Sequence, residues 1–254
     1  MSFRQLCKPR TAVFVLVVAS AAAPCLALSQ SIPGAVMAQR EPHHHLVYED
    51  SVIRVLRVRV PAHDTTLLHE HDPDYFWISL GPSTLVNVRP GNPDATVASA
   101  DLAFHYSFGK FAHIARNPGN APFDNITVEL LEPQTGVRNL CEAAVSEKPL
   151  DCHQSSTGQK ARFSGGREHP AFATDEITVS LHEIDPGGTL RPSAGAKGGA
   201  AWVIALDSAD AKQKLVVGGG PRWVGGTFRA AKGQAWVLSN MSDGVIRVIS
   251  VVRN

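Results

Sequence analysis

The sequence predicts an all-β protein made of two barrel- or sandwich-type units in tandem. Three observations carry this reading. Short β-branched segments recur at nearly even spacing and are punctuated by Gly- and Pro-rich turns. No segment carries a convincing amphipathic helical period. A polar stretch over residues 137–170 separates two halves that repeat one another in outline. With 254 residues and 44% hydrophobic content, the chain can bury a substantial core, which excludes a disordered or fibrous protein.

Residues 1–38 contain no acid, carry Arg4, Lys8 and Arg10, and continue into an apolar run over 12–23. This is the pattern of a secretory signal peptide, and the run is shorter than the roughly 20 residues a membrane span needs. Small residues allow cleavage after Ala27 or after Ala38. The expected product is exported, periplasmic or secreted, with no stable membrane insertion. Removing the three early charges from 24 basic residues leaves 21 against 23 acidic, a net charge of about −2 with no basic cluster, which argues against a nucleic-acid partner.

The first unit is expected over 39–136. Glu41-Pro42-His43-His44-His45 reads as a solvated lead-in. Residues 52–60 then form a strand with Leu56, Val58 and Val60 on one face and Arg57 and Arg59 on the other. After a turn at 61–66 comes Leu68-His69-Glu70-His71-Asp72-Pro73-Asp74, followed by a buried strand over 75–80 that ends at Gly81-Pro82. Further strands are read at 84–88, 95–98, 102–106 and 125–131, with Phe108 to Asn117 between the last two.

Over 137–170 the composition shifts to a linker. Cys141 and Cys152 are the two cysteines that outlast signal removal, and in an oxidising compartment they read as a disulfide. Closing that loop stabilises by about 3 kcal/mol in the chain-entropy picture. The second unit, 171–254, shows strands at 176–184, 201–206, 214–217, 227–230, 234–238 and 245–252.

Chemistry concentrates at His69 to Gly81. In a strand, residues i and i+2 share a face, so His69 and His71 present their imidazoles to one point while Glu70 faces away. Asp74 stands past the turn. Imidazole and carboxylate together suit a divalent transition metal. His63, His105 and His182 read as single polar or capping residues, and His153 and His169 as part of the linker.

These stretches resemble the two motifs of the cupin superfamily. The first, His-x-His, a spacer of three or four residues, Glu, six residues and Gly, is matched by His69, His71, Asp74 and Gly81, with Asp for Glu and a spacer of two. The second, which ends in His, three residues and Asn, is matched by His113 and Asn117, with Gly109 displaced by one. The resemblance runs from about Val47 to Leu131. In the second half, Trp236 and Asn240 keep the second spacing with tryptophan in place of histidine, as in a bicupin whose C-terminal barrel has lost its metal.

The resemblance implies two jelly-roll barrels and a metal held by His69, His71, Asp74 and His113, with Fe, Mn, Ni, Cu and Zn all admissible. Asp74 or Glu70 would serve as a base, and Phe76 or Trp77 and Phe111 would line an apolar pocket. The implied activity is that of a dioxygenase-like oxidoreductase acting on a small organic molecule. The alternatives are a non-redox isomerase or lyase, and a cupin that binds metal or ligand without turnover. A bicupin is either a monomer that imitates a cupin dimer or a homodimer.

Overall fold

The computed structural model describes residues 32–140, 161–163, 165–191, 199–206 and 214–254. The first barrel is built from β1 (Val36–Met37), β2 (His44–Glu49), β3 (Ile53–Val60), β4 (His69–His71), β5 (Tyr75–Ser79), β6 (Ser83–Val88), β7 (Ala95–Ser99), β8 (Phe104–Ser107), β9 (Phe111–Arg116) and β10 (Phe123–Leu130). These make two facing sheets, ordered β1-β4-β9-β6-β7 and β2-β3-β10-β5-β8. Apart from one 3-10 turn at Ala38–Arg40, the described chain is strand and connection, as the spacing predicts. None of its helices is long and apolar enough to cross a membrane.

The second barrel comprises β11 (Arg138–Asn139), β12 (Ala161–Phe163), β13 (Gly166–Ala173), β14 (Ile177–Ile184), β15 (Thr189–Leu190), β16 (Ala201–Ala205), β17 (Leu215–Gly218), β18 (Thr227–Ala230), β19 (Val237–Asn240) and β20 (Ile246–Arg253). Its large sheet runs β11-β13-β14-β20-β16-β18, with β12 beside β13, and its small sheet runs β15-β19-β17. The order β13-β14-β20-β16-β18 reproduces β2-β3-β10-β5-β8 strand for strand.

Two boundaries differ from the sequence expectation. Residues 138–139, 161–163 and 166–170, expected as linker, are strands of the second barrel's large sheet. At the other end, Val36 and Met37 pair in parallel with His69 and Glu70, and Ala38 is fully buried in the first barrel. A boundary at residue 38 therefore passes through the barrel. Cys141 and Cys152 lie outside the described residues, as do positions 1–31 of the N-terminal stretch.

Strand alternation sorts each large sheet into two faces. Leu56, Val58 and Val60 of β3 point into the first barrel with Leu85, Ala115 and Phe123. Ile53, Val55, Phe76, Ile78, Phe104 and Tyr106 point out of it, and there they meet Phe172, Val179, Trp202, Ile204 and Val251 in one shared core. Phe172 packs edge-on against Phe76 at 5.1 Å and Tyr106 at 5.3 Å between ring centroids. Trp202 Nε1 donates across the junction to Asp50 Oδ2 at 2.7 Å. The two barrels are thus joined back to back through an apolar layer.

Each barrel also buries one histidine apart from the cluster described below. His105 stacks on Trp77 at 3.9 Å and pairs with Ser99 Oγ at 3.0 Å, and burial lowers its pKa to about 4. His182 pairs with Ser250 Oγ at 2.8 Å, and burial likewise lowers it to about 4. A histidine depressed in the folded state binds its proton more readily when unfolded. Its stabilisation is complete above the unfolded pKa of 6.5 and is lost as pH falls toward 4. Each residue accounts for up to about 3 kcal/mol. Urea midpoints should therefore drop between pH 7 and pH 4.5. A His105→Phe variant, which keeps the stack on Trp77, should show a shallower drop; an unchanged slope would refute the assignment.

Candidate metal centre

The centre forms where β4 passes between β1 and β9. His69 stands directly opposite His113 in the β4–β9 register, and His71 stands opposite Phe111. His69 and His71 face inward, as their spacing predicts. Glu70 faces outward, where its Oε2 accepts the Ile32 N–H at 3.0 Å, so it is a latch for the N-terminal segment and not a base at the site. From the facing sheet β2 brings His44, whose ring lies 4.6 Å from that of His69 and 6.0 Å from that of His71. One ligand nitrogen from each of His44, His69 and His71 lies within 4.8 Å of the others. The His113 ring is 4.4 Å from His69 and 5.5 Å from His71.

All four imidazoles are held by Nδ1. His44 Nδ1 is 2.6 Å from Glu41 Oε2, and His69 Nδ1 is 2.9 Å from the Leu67 carbonyl. His71 Nδ1 is 3.0 Å from Glu129 Oε1, and His113 Nδ1 is 2.9 Å from Asn87 Oδ1. An Nδ1 that donates outward fixes the tautomer and leaves Nε2 with its lone pair. Nε2 of His69 and Nε2 of His113 are both buried without a hydrogen-bond partner. Orphaned buried acceptors are costly unless something fills them, and a divalent cation fits both the donor chemistry and the spacing.

The electrostatics agree. Burial, followed by the neighbouring charges of His71 and His44, lowers the His69 pKa to about 3. Burial and the surrounding imidazoles hold His113 well below the ordinary histidine value, and burial lowers His44. These rings are therefore neutral, the form that ligates. Burial would raise Glu41, but hydrogen bonds from His44 and His43 outweigh it and bring the carboxyl down to about 2. Burial would raise Glu129 as well, but His71 and Arg54, whose Nη1 donates to Oε2 at 2.6 Å, hold it ionised.

Besides Glu70, three expected site residues, Asp74, Phe76 and Trp77, fall elsewhere. Asp74 is not in the cluster: Tyr106 Oη donates to its Oδ2 at 2.5 Å and the Gly109 N–H donates to its Oδ1 at 3.1 Å. The reason is strand parity. Tyr75, Trp77 and Ser79 face the barrel interior, so Asp74 shares the outward face with Phe76, and a two-residue spacer flips the side chain away. The inward position one residue later is Tyr75, whose ring stacks on His71 at 4.0 Å. Phe76 belongs to the junction between barrels rather than to a pocket. Trp77 is inside the first barrel but packs on His105 and Phe123. Phe111 does border the cluster, 5.3 Å from His113 and 6.4 Å from His71, with the Arg89 guanidinium 4.0 Å over its ring.

His44, Glu41, Glu129 and Tyr75 are the residues that sequence reasoning passed over. The signal for His44 was the His43-His44-His45 tract, in which only the middle ring turns inward and is buried. For Glu129 the signal was an acid at an inward position of a β-branched strand, register-paired with Arg54 at an inward position of β3.

The internal repeat is visible in hydrogen bonds. Asn117 Nδ2 donates to the carbonyls of Val60, Pro61 and Ala121. Asn240 Nδ2 donates in the same way to Ile184, Asp185 and Gly244. The asparagines staple equivalent turns, and Trp236 stands where the first barrel has His113.

Neither a protein-family model nor a curated protein matches the sequence. Solved structures do match. AerE from Microcystis aeruginosa aligns with a TM-score of 0.57 at 13% identity, over 84% of this chain and 93% of its own. A mutant of Bacillus subtilis oxalate decarboxylase OxdC aligns at 0.52 and 10% identity, over 83% and 72%. Procruciferin, an 11S globulin from Brassica napus, aligns at 0.52 and 10% identity, over 80% and 76%. These likenesses concern the fold, which is bicupin-like: two cupin-type jelly-roll barrels in tandem.

Proposed function

We propose that this chain is an exported protein whose first barrel binds a divalent transition metal through His44, His69 and His71, with His113 beside them, and acts there on a small organic molecule as a dioxygenase-like oxidoreductase. The observation that carries the metal reading is the set of four imidazoles anchored by Nδ1, two of which leave a buried Nε2 without a partner. Fe, Mn, Ni, Cu and Zn are all compatible with neutral nitrogen donors. When bound, such an ion supplies Lewis acidity or, for a redox-active metal, electron transfer. Export rests on the N-terminal composition.

The chain's own residues divide the work. Glu41 and Glu129 orient His44 and His71 and keep a negative charge behind each ring, which raises the basicity of the inward nitrogen. Phe111, the stacked Tyr75 and the Arg89 guanidinium over Phe111 border the cluster with apolar and cationic surface. A planar organic substrate would find ring faces there and, in Arg89, a positive charge.

Metal content of protein purified from its native compartment, compared with a His69→Ala/His113→Ala double variant, tests the reading. The wild type should carry about one equivalent and the variant almost none. Equal metal content in the two would overturn it. Oxygen uptake with a phenolic substrate then supports the oxidoreductase assignment, whereas turnover with zinc under anaerobic conditions would replace it with isomerase or lyase chemistry.

A further inference from the structure

A cavity of about 770 Å³ lies inside the second barrel, apart from the histidine cluster. That volume is in the range of small-molecule sites. One wall is polar: Ser180 and His182 on β14, and Ser250 on β20. The small-sheet side is apolar, with Leu190 on β15 and Trp236 just before β19, while Ala201 lies on β16, beside β20 in the large sheet. His182 is buried, its Nε2 is engaged by Ser250 Oγ at 2.8 Å, and its Nδ1 is buried without a partner. Because Ser250 can donate to or accept from Nε2, Nδ1 can either donate or accept. A ligand hydroxyl, which does both, satisfies it in either state.

The repeat shows how this lumen came to differ. The registers Phe123↔Val60 and Ile246↔Ile184 make His182 the counterpart of Val58 and Ser250 the counterpart of Thr127. The cross-strand partner of Val58 is His44, whereas that of His182 is Glu168, which also lines the cavity. Glu129 has Val252 as its counterpart, and His113 has Trp236. The cluster positions His44, Glu129 and His113 thus become Glu168, Val252 and Trp236, and the apolar Val58 becomes His182. The remaining charges on the lining are of both signs, Glu168 with Arg191 and Arg253, and Arg253 Nη2 already pairs with Glu132 at 2.8 Å.

We propose that the second barrel is a separate binding site for a small, uncharged, hydroxyl-bearing ring, stacked on Trp236 and hydrogen-bonded to His182 Nδ1 and the neighbouring serines. A sugar ring and a phenol share that chemistry: hydroxyls at the edge and an apolar face. The full-length protein should be titrated separately with glucose and with phenol by calorimetry and ligand-observed NMR. Saturable one-to-one binding of either is expected, and the probe that binds identifies the source. Ser250→Ala should weaken it about tenfold, and Ala201→Phe, which fills the lumen, should abolish it. If Ala201→Phe does not fold, Ser250→Ala alone carries the comparison. The His69→Ala/His113→Ala variant should bind as the wild type does, which separates this site from the metal centre. Absence of saturable binding of both probes, or an affinity unchanged by Ser250→Ala, would overturn the assignment.

Discussion

If His44 is a ligand, as proposed, replacing it with alanine is expected to lower metal affinity by more than about 100-fold, a larger loss than removal of a supporting residue brings. Asp74→Ala is expected to leave metal content unchanged. The two variants separate the structural site from the motif read in the sequence, where the acid seven residues before Gly81 holds the ion. Asp74→Ala should instead cost about 1–3 kcal/mol of stability, since it removes the carboxylate that accepts from Tyr106 Oη and the Gly109 N–H. Glu41→Gln should fall between the two, weakening metal by about 10- to 100-fold through loss of the charge that orients His44. Metal analysis and chelator competition read the affinities, and urea denaturation reads the stabilities. Metal loss in Asp74→Ala with retention in His44→Ala would reverse the ligand assignment.

Trp202→Ala should destabilise the protein by about 3–5 kcal/mol, the range for deleting a large buried aromatic. Trp202 is fully buried, sits in the layer shared by both barrels, and donates its indole N–H to Asp50. A loss of that size lowers the melting temperature on the order of 10 °C in a chain of this length. The loss should be felt in both halves. Trp77, which is inside the first barrel, should report the same unfolding midpoint as Trp236 in the second, measured in single-tryptophan variants. Two separated transitions would show that the barrels unfold independently and that the shared layer contributes little.

Most of the architecture was legible because β-structure writes itself in period two. Val58 and Val60 against Arg57 and Arg59 gave the faces of β3, and the Gly- and Pro-rich turns gave its neighbours. His69, His71 and His113 were legible as a set through their spacing. Three things were not. The parity of Asp74 depends on how Asp72-Pro73 turns, and one residue of slip decides between the interior and the junction; counting back from Gly81 carries no information about that. The shared core was hidden because Phe76 reads as pocket lining until a second barrel supplies the surface it buries. His44 was hidden by composition, since three consecutive histidines resemble a solvated tract and strand alternation alone does not say that the middle one enters a cluster formed by another sheet.

The carboxylate of Glu41 gathers the His43 backbone N–H, the His43 and His44 rings and the Leu67 N–H around one buried point. It thereby ties the lead-in strand to the segment that delivers His69. The practical consequence concerns how the chain is handled in the laboratory. A shortened chain that starts just after the histidine tract, as that tract's tag-like composition invites, would lose one imidazole of the cluster, the acid that aims it and the brace on the loop before β4. An inactive product of such trimming would report a dismantled centre and say nothing about the intact protein.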